Sequence, residues 1–260
     1  MERFETAFSL TPNPQTLYPT DSLKTIIERI DWTLRNKWGL TCILGDDGTG
    51  KTSVVNFLDS KYKANKNYIT TIIQAKSIQS DFAMLKEICS SFGLDLKRSS
   101  YDQYKLLEAW LIQESKKGKN VVIFIDEAQN LTFRQLEQVK YLLNLEPFYQ
   151  KLIQVVLVGH SDFRNKLFLP KNKAILSRMF GLSKLSPFNL EETKEMISFR
   201  CNLAQIDNPF SDDSIEVIYH LTNGVPKHII KLCTYSYKDA NGNITPDIIH
   251  KVNKDITQLI

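Results

Sequence analysis

Apolar positions in this chain form two kinds of pattern, and the change from one to the other divides it. Short continuous runs come first. Leu40-Thr41-Cys42-Ile43-Leu44, Tyr68-Ile69-Thr70-Thr71-Ile72-Ile73-Gln74, Asn120 to Ile125 and Leu152 to Val158 all predict buried strands, because runs this apolar suit a sheet covered on both faces. Between them lie stripes at helical spacing. Leu23, Ile26, Ile27, Ile30 and Leu34 form one, with Asp21 or Ser22 as the cap. Others run from Thr52 to Leu58, Asp81 to Phe92, Tyr101 to Ser115 (ended by Gly118) and Phe133 to Leu145, with a short helix near Ser161 to Leu167 and a further segment near Ile175 to Ser183. After Pro187 only helical stripes remain: Glu191 to Ala204, Asp212 to Thr222, Lys227 to Lys238 and Pro246 to Leu259. Ahead of the first stripe, Pro12, Pro14 and Pro19 with Phe8, Leu10, Leu17 and Tyr18 predict an extended arm lying on the core. The alternation predicts an α/β core with a parallel sheet flanked by helices over residues 1–187, arm included. A small helical lid follows over 188–260.

One stretch changes this from a fold to a function. Gly45-Asp46-Asp47-Gly48-Thr49-Gly50-Lys51-Thr52 matches G-x-x-x-x-G-K-[ST], between a predicted strand and a predicted helix. The glycines let the backbone curl so that its N–H groups face phosphates, and the helix that opens near Gly50 and runs on through Ser53 adds its positive end. Lys51 is expected on the β- and γ-phosphates of ATP, and the Thr52 hydroxyl on Mg2+. About 75 residues on, the apolar strand ends in Asp126-Glu127. Behind a P-loop such a pair predicts an Asp126 that holds the Mg2+ shell and a Glu127 that activates the attacking water.

Composition limits the alternatives. Apolar residues make up 42% and charged residues 24% of 260, ordinary for a soluble protein. There is no apolar run of the ~18 residues a membrane span needs, and the start, Met1-Glu2-Arg3-Phe4-Glu5-Thr6, lacks a signal-peptide pattern. A cytoplasmic protein with no membrane partner is expected. Cys42, Cys89, Cys201 and Cys233 are far apart in apolar or helical surroundings, which predicts buried free thiols. The net charge of +4 is uneven: residues 188–260 hold 7 Lys/Arg and 10 Asp/Glu, and the rest hold 26 and 19. A basic amino-terminal part suits an anionic partner such as nucleic acid.

Further motifs carry a resemblance. Phe8-x-Leu10-Thr11-Pro12-x-Pro14-x-x-Leu17-Tyr18, Ile125-Asp126-Glu127-Ala128-Gln129-Asn130-Leu131, Val156-Leu157-Val158-Gly159, Leu185-Ser186-Pro187, Glu192-Thr193 and Gly224-Val225-Pro226 occur in that order. Together they resemble the ExeA-like ATPases, a branch of the AAA+ superfamily, and the similar TnsC/TniB/MuB-type ATPases of DNA transposition. The resemblance implies an AAA+ P-loop NTPase core plus helical lid. It implies sensor 1 at His160, or at Ser161 next to it, and an arginine finger at Arg178 that reaches a neighbouring subunit's γ-phosphate. It also implies sensor 2 at Lys227, where the family usually has Arg; Lys keeps the charge but loses the bidentate fork. DNA contacts are implied at Lys76, Ser77, Lys97, Arg98 and Arg134, on loops after the second strand and after Asp126-Glu127.

The function expected from all this is an AAA+ ATPase that forms a homo-oligomer with ATP, as a ring or helical filament. It would bind duplex DNA without sequence preference and regulate transposition by recruiting or activating a transposase, with a target-selector protein as a further partner. The alternatives are an ExeA-type secretion ATPase and an ATP-gated scaffold with little turnover. The chain ends at Ile260 soon after the lid, without an envelope segment, which turns the expectation toward transposition.

Overall fold

The structure is a computed structural model that describes residues 2–146, 150–240 and 243–258. Its elements run α1 (Glu2–Ala7), α2 (Asp21–Arg35), β1 (Leu40–Gly45), α3 (Lys51–Lys63), β2 (Tyr68–Gln74), α4 (Asp81–Ser91), α5 (Ser100–Lys116), β3 (Asn120–Asp126), α6 (Phe133–Leu143), β4 (Ile153–Gly159), α7 (Phe163–Leu167), α8 (Lys173–Leu176), β5 (Met179–Leu185), α9 (Leu190–Ala204), α10 (Asp212–Thr222), α11 (Pro226–Asp239) and α12 (Pro246–Gln258). Leu259, where the last helical stripe was expected to end, lies outside the described residues.

The chain divides into two compact units, a sheet unit of Asp21–Asp46 with Val54–Leu185 and a helical unit of Met1–Thr20, Asp47–Ser53 and Ser186–Ile260. In the sheet unit, five parallel strands stand in the order β2-β3-β4-β1-β5. β1, β3 and β4 are buried over their whole length, as their unbroken apolar runs require. Their side chains join those of α4, α5 and α6 in one core that includes Leu40, Ile123, Val155, Met84, Leu107 and Val139. The register sets Gln74 beside Asp126, Ile125 beside Leu157, and Leu44 beside Gly159. The carboxyl ends of the four interior and neighbouring strands therefore share one edge, where open α/β sheets bind their ligands.

The segment expected only loosely near Ile175 to Ser183 resolves into α8 and an edge strand, β5. Met179-Phe180-Gly181-Leu182-Ser183-Lys184-Leu185 has no clean apolar alternation, so its strand state comes from pairing with β1. Gly181 permits that pairing at close range: a Cβ there would stand 3.1 Å from the Thr41 hydroxyl, which donates to the Gly181 carbonyl at 3.2 Å.

In the helical unit, α9 to α12 bury Ile197, Cys201, Ile215, Ile218, Ile229, Cys233 and Ile249 in a second core. Asn189 and Glu192 form a capping box at the start of α9, Ser211 caps α10, and Pro226 occupies the first turn of α11. The expected extended arm is corrected in two respects. Residues 2–7 are helical, and they pack in this helical core rather than on the sheet. The prolines all lie beyond residue 11 and leave the first turn free to coil, while Phe4, Ala7 and Phe8 share the spacing of one helix face. Phe4 stacks on Tyr237 at 3.7 Å between centroids and on Phe8 at 4.1 Å. Buried Arg200 donates to the Ala7 carbonyl at 2.5 Å, a cation at the negative end of α1. Burial holds its guanidinium down to about 10. Asp21 is the first residue of α2 rather than the residue before it.

Candidate nucleotide site

P-loop residues 47–53 belong to the helical unit. Between β1 and α3 the backbone turns through Gly48 (φ +80°) and Gly50 (φ +94°), a region that costs side-chain-bearing residues energy. Gly48 is also sterically fixed: a Cβ there would lie 2.8 Å from Val225 Cγ1 and 3.0 Å from Lys227 Cβ. The Lys227 N–H donates to the Gly48 carbonyl at 3.1 Å. The start of α11, carrying the expected sensor 2, thus sits against the P-loop backbone. Lys51 opens α3 and is buried, with its ammonium 3.8 Å from the exposed Asp47 carboxylate. Thr49 is buried in the turn, and Thr52 and Ser53 follow Lys51 in the first turn of α3.

At the sheet edge, β1 ends at Gly45 and Asp46 follows. The Asp46 carboxylate has His160 Nε2 at 3.8 Å and Lys184 Nζ at 3.9 Å. Asp126, the last residue of β3, is buried, and one of its oxygens accepts the Glu127 N–H at 2.9 Å. Glu127 has left-handed backbone, φ 56° and ψ 35°, which turns the chain sharply out of the strand.

Gln129 belongs to the Ile125 to Leu131 motif, but its sequence position carried no expected role. Its side-chain N–H donates to the Glu127 carboxylate at 2.5 Å, and its side-chain oxygen accepts the His160 N–H at 3.0 Å. Its carbonyl accepts from Lys166 Nζ at 2.8 Å. A Cβ at residue 159 would come within 3.0 Å of the Gln129 side-chain oxygen, so Gly159 leaves the room this bridge needs. The end of β4 and the expected general base are therefore tied together through one amide. The available signal was Gln129's place two residues after Glu127, on the turn Ala128–Asn130.

Of the two sensor 1 candidates, the His160 ring accepts the Asp162 N–H through Nδ1 at 3.3 Å. The Ser161 hydroxyl is buried without a hydrogen-bond partner among the described residues. Arg178 follows α8, where its Nε donates to Asn144 at 2.9 Å and its Nη1 to the Ala174 carbonyl at 2.7 Å. Lys76 is exposed on the turn after β2, and Ser77 donates from its hydroxyl to the Gln74 carbonyl at 2.9 Å. Lys97 is drawn into its own loop, with Asp95 3.6 Å from its ammonium and Gln103 accepting its N–H at 2.7 Å. Arg98 and Arg134 are exposed, the latter in the first turn of α6. Among the described residues there is no group of three His, Cys, Asp or Glu able to hold a metal alone.

A P-loop sequence that follows the first strand of a five-stranded parallel sheet puts the fold in the P-loop NTPase class. The chain belongs to the AAA domain family, whose model matches residues 35–167, just over half of it. It is similar to General secretion pathway protein A of Aeromonas hydrophila, 27% identical over 249 residues that make up 95% of this chain and 45% of that protein. It is also similar to ORC1-type DNA replication protein 1 of Sulfurisphaera tokodaii, 24% identical over 202 residues, 76% of this chain and 50% of that one. Among solved structures, the ORC1 protein of Aeropyrum pernix in complex with DNA shares the fold, with a TM-score of 0.70 at 15% identity over 98% of this chain and 69% of its own. The chain spans about half the length of the curated relatives it matches, so its end at Ile260 does not discriminate between functions. The secretion relative agrees with the ExeA-like resemblance, and the chain is an AAA-domain protein similar to both a secretion protein A and ORC1-type proteins. No helix among the described residues is long and apolar enough to cross a membrane.

Proposed function

We propose that the chain binds ATP with Mg2+, hydrolyses it, forms a homo-oligomer in the ATP state and binds duplex DNA without sequence preference. In this reading residues 45–53 hold the phosphates, Lys227 senses them from α11, and Thr52 and Asp126 hold the metal. His160 or Ser161 orders the γ-phosphate, and Glu127 aligns the water. Arg178 completes the neighbour's site; inside one subunit its guanidinium is satisfied by Asn144 and Ala174, bonds that assembly would exchange for phosphate. The observation that carries the ATPase part is the tethered carboxylate of Glu127, held at 2.5 Å by Gln129. The basic balance of residues 1–187, exposed Lys76, Arg98 and Arg134, and the replication and DNA-bound relatives support DNA as the partner.

At the finest level we keep the role expected from the sequence signature, a cytoplasmic regulator that recruits or activates a transposase, with a target selector as a further partner. That level rests on the motif resemblance alone, because the relatives named above are secretion and replication proteins. A second reading, an ATPase of a secretion system, is favoured by the match to General secretion pathway protein A along 95% of this chain.

A salt titration of fluorescent duplex binding by Glu127→Gln protein, with ATP, with ADP and without nucleotide, tests the proposal. This variant should keep ATP and stall hydrolysis, while Lys51→Ala loses productive ATP binding. Tight binding is expected only with ATP, because assembly lines up many weak contacts and raises affinity by ~10²-fold or more. Affinity should fall steeply with salt, and Lys76→Glu should weaken binding on every duplex alike. No binding at low salt with ATP present would transfer the preference to the secretion reading.

A further inference from the structure

Residues 163–178 run from α7 to just past α8 and carry five cations, Arg164, Lys166, Lys171, Lys173 and Arg178, with no carboxylate. No ion pair to any of the five is found among the described residues. Elsewhere in the sheet unit lysines stand beside acids, as Lys61 does at Asp31, Lys63 at Asp59 and Lys117 at Glu114. Lys166 and Arg178 are turned to their own chain through Gln129, Asn144 and Ala174. Arg164, Lys171 and Lys173 are exposed.

The uncompensated charge is felt locally. Lys166 is held below the usual lysine range, first by burial and then by the charge of Lys171. Lys151 is held down by burial and by Arg178.

Flat apolar groups are interleaved with these cations. Phe168 is 54% exposed, and the Arg164 guanidinium lies 4.9 Å from its ring centre. Lys171 Nζ lies 5.5 Å from the centre of Phe133, which is 39% exposed. Cations beside accessible rings match the two faces of an unpaired nucleotide: phosphate to the charge, base to the ring. A wholly paired duplex offers the charges a partner but gives the rings no base face.

We infer that Arg164, Lys171 and Lys173 with Phe168 and Phe133 form a contact surface for single-stranded nucleic acid, separate from the loops that carry Lys76 and Lys97. The inference rests on the reading that this chain acts on nucleic acid, and goes beyond it in assigning a surface and a strand state. An acidic protein segment would use the charges but have no need of the rings, so the two occupants separate experimentally.

The test uses the full chain with an ATP analogue, a fluorescent 20-nucleotide oligothymidylate and a blunt duplex of equal length. Phe168→Ala should weaken single-strand binding by ~5-fold or more and leave duplex binding within ~2-fold, since only an unpaired base can stack. Arg164→Glu with Lys171→Glu should weaken single-strand binding further and reduce the slope of log affinity against log salt by about 1.4, two contacts at ~0.7 each. All altered residues are exposed, and thermal melts that match the unaltered chain establish that the variants fold. If the unaltered chain binds the single strand and both variants bind it equally well, this surface is wrong while the nucleic-acid reading stands. Equal loss on single strand and duplex in Phe168→Ala overturns the strand assignment. If the unaltered chain binds neither probe, the nucleic-acid reading falls and this inference with it.

Discussion

Gln129 sets the working geometry of the site at the scale of a single residue. A carboxylate that must align a water needs a fixed orientation, and a bond to one of its oxygens supplies that while the other stays available. The opposite end of the same amide holds the His160 N–H, so the base and the end of β4 respond together to whatever occupies the edge of the sheet. Gln129→Ala should lower kcat for ATP by ~10-fold or more with the ATP dissociation constant changed less than ~2-fold, and should add no further loss to Glu127→Gln. Steady-state kinetics with nucleotide titrations read both quantities; a change confined to affinity would assign Gln129 to binding instead. The P-loop and the acidic pair were legible in the sequence because their residue types and flanks are demanded by phosphate and metal chemistry. The part played by Gln129 was not legible, because it depends on the left-handed turn at Glu127, and nothing in the local pattern requires that turn.

Helices carry their own punctuation, and at the scale of elements this fixes where several of them begin and end. α10 begins and ends as its apolar stripe predicts, between the Ser211 cap and a left-handed Asn223, and α9 opens on the capping box of Asn189. β5 went unread because an edge strand needs little apolar alternation, and α1 because the prolines behind it dominate the first twenty residues. The join between α10 and α11 turns on Gly224, at φ +69°, where an added Cβ would stand 1.9 Å from the Phe188 carbonyl oxygen. Phe188 N–H in turn donates to the Gly224 carbonyl at 2.9 Å, so the two strands of backbone cannot separate to make room without losing that bond. Gly224→Ala should therefore destabilise the helical unit by ~2 kcal/mol or more, from left-handed strain and the displaced backbone together. Urea unfolding followed by far-ultraviolet circular dichroism measures it, and an unchanged midpoint would show that the loop relaxes freely.

Across the whole molecule, the division into units is discontinuous. Residues 1–20 and 47–53 group with the carboxy-terminal helices, whereas a reading along the chain can only cut it at a point such as Pro187. Sequence patterns report which residues want burial but not which of two cores receives them, and Phe4 and Phe8 are the clear instance. The four thiols divide between the units: Cys42 and Cys89 belong to the sheet core, Cys201 and Cys233 to the helical core, and all four are buried. Burial raises each thiol above its usual range, Cys201 to about 11, so none is reactive while its core stays closed. The chain thus carries its own internal clocks. Pulses of an alkylating reagent, read by peptide mass, time the opening of each core without any engineered probe. Cys201 and Cys233 should be modified together and ahead of Cys42 and Cys89, because theirs is the smaller apolar cluster. A single shared rate would mean that both cores open in one event. Repeating the pulses with ATP would turn the same four sulfurs into a gauge of which core nucleotide seals.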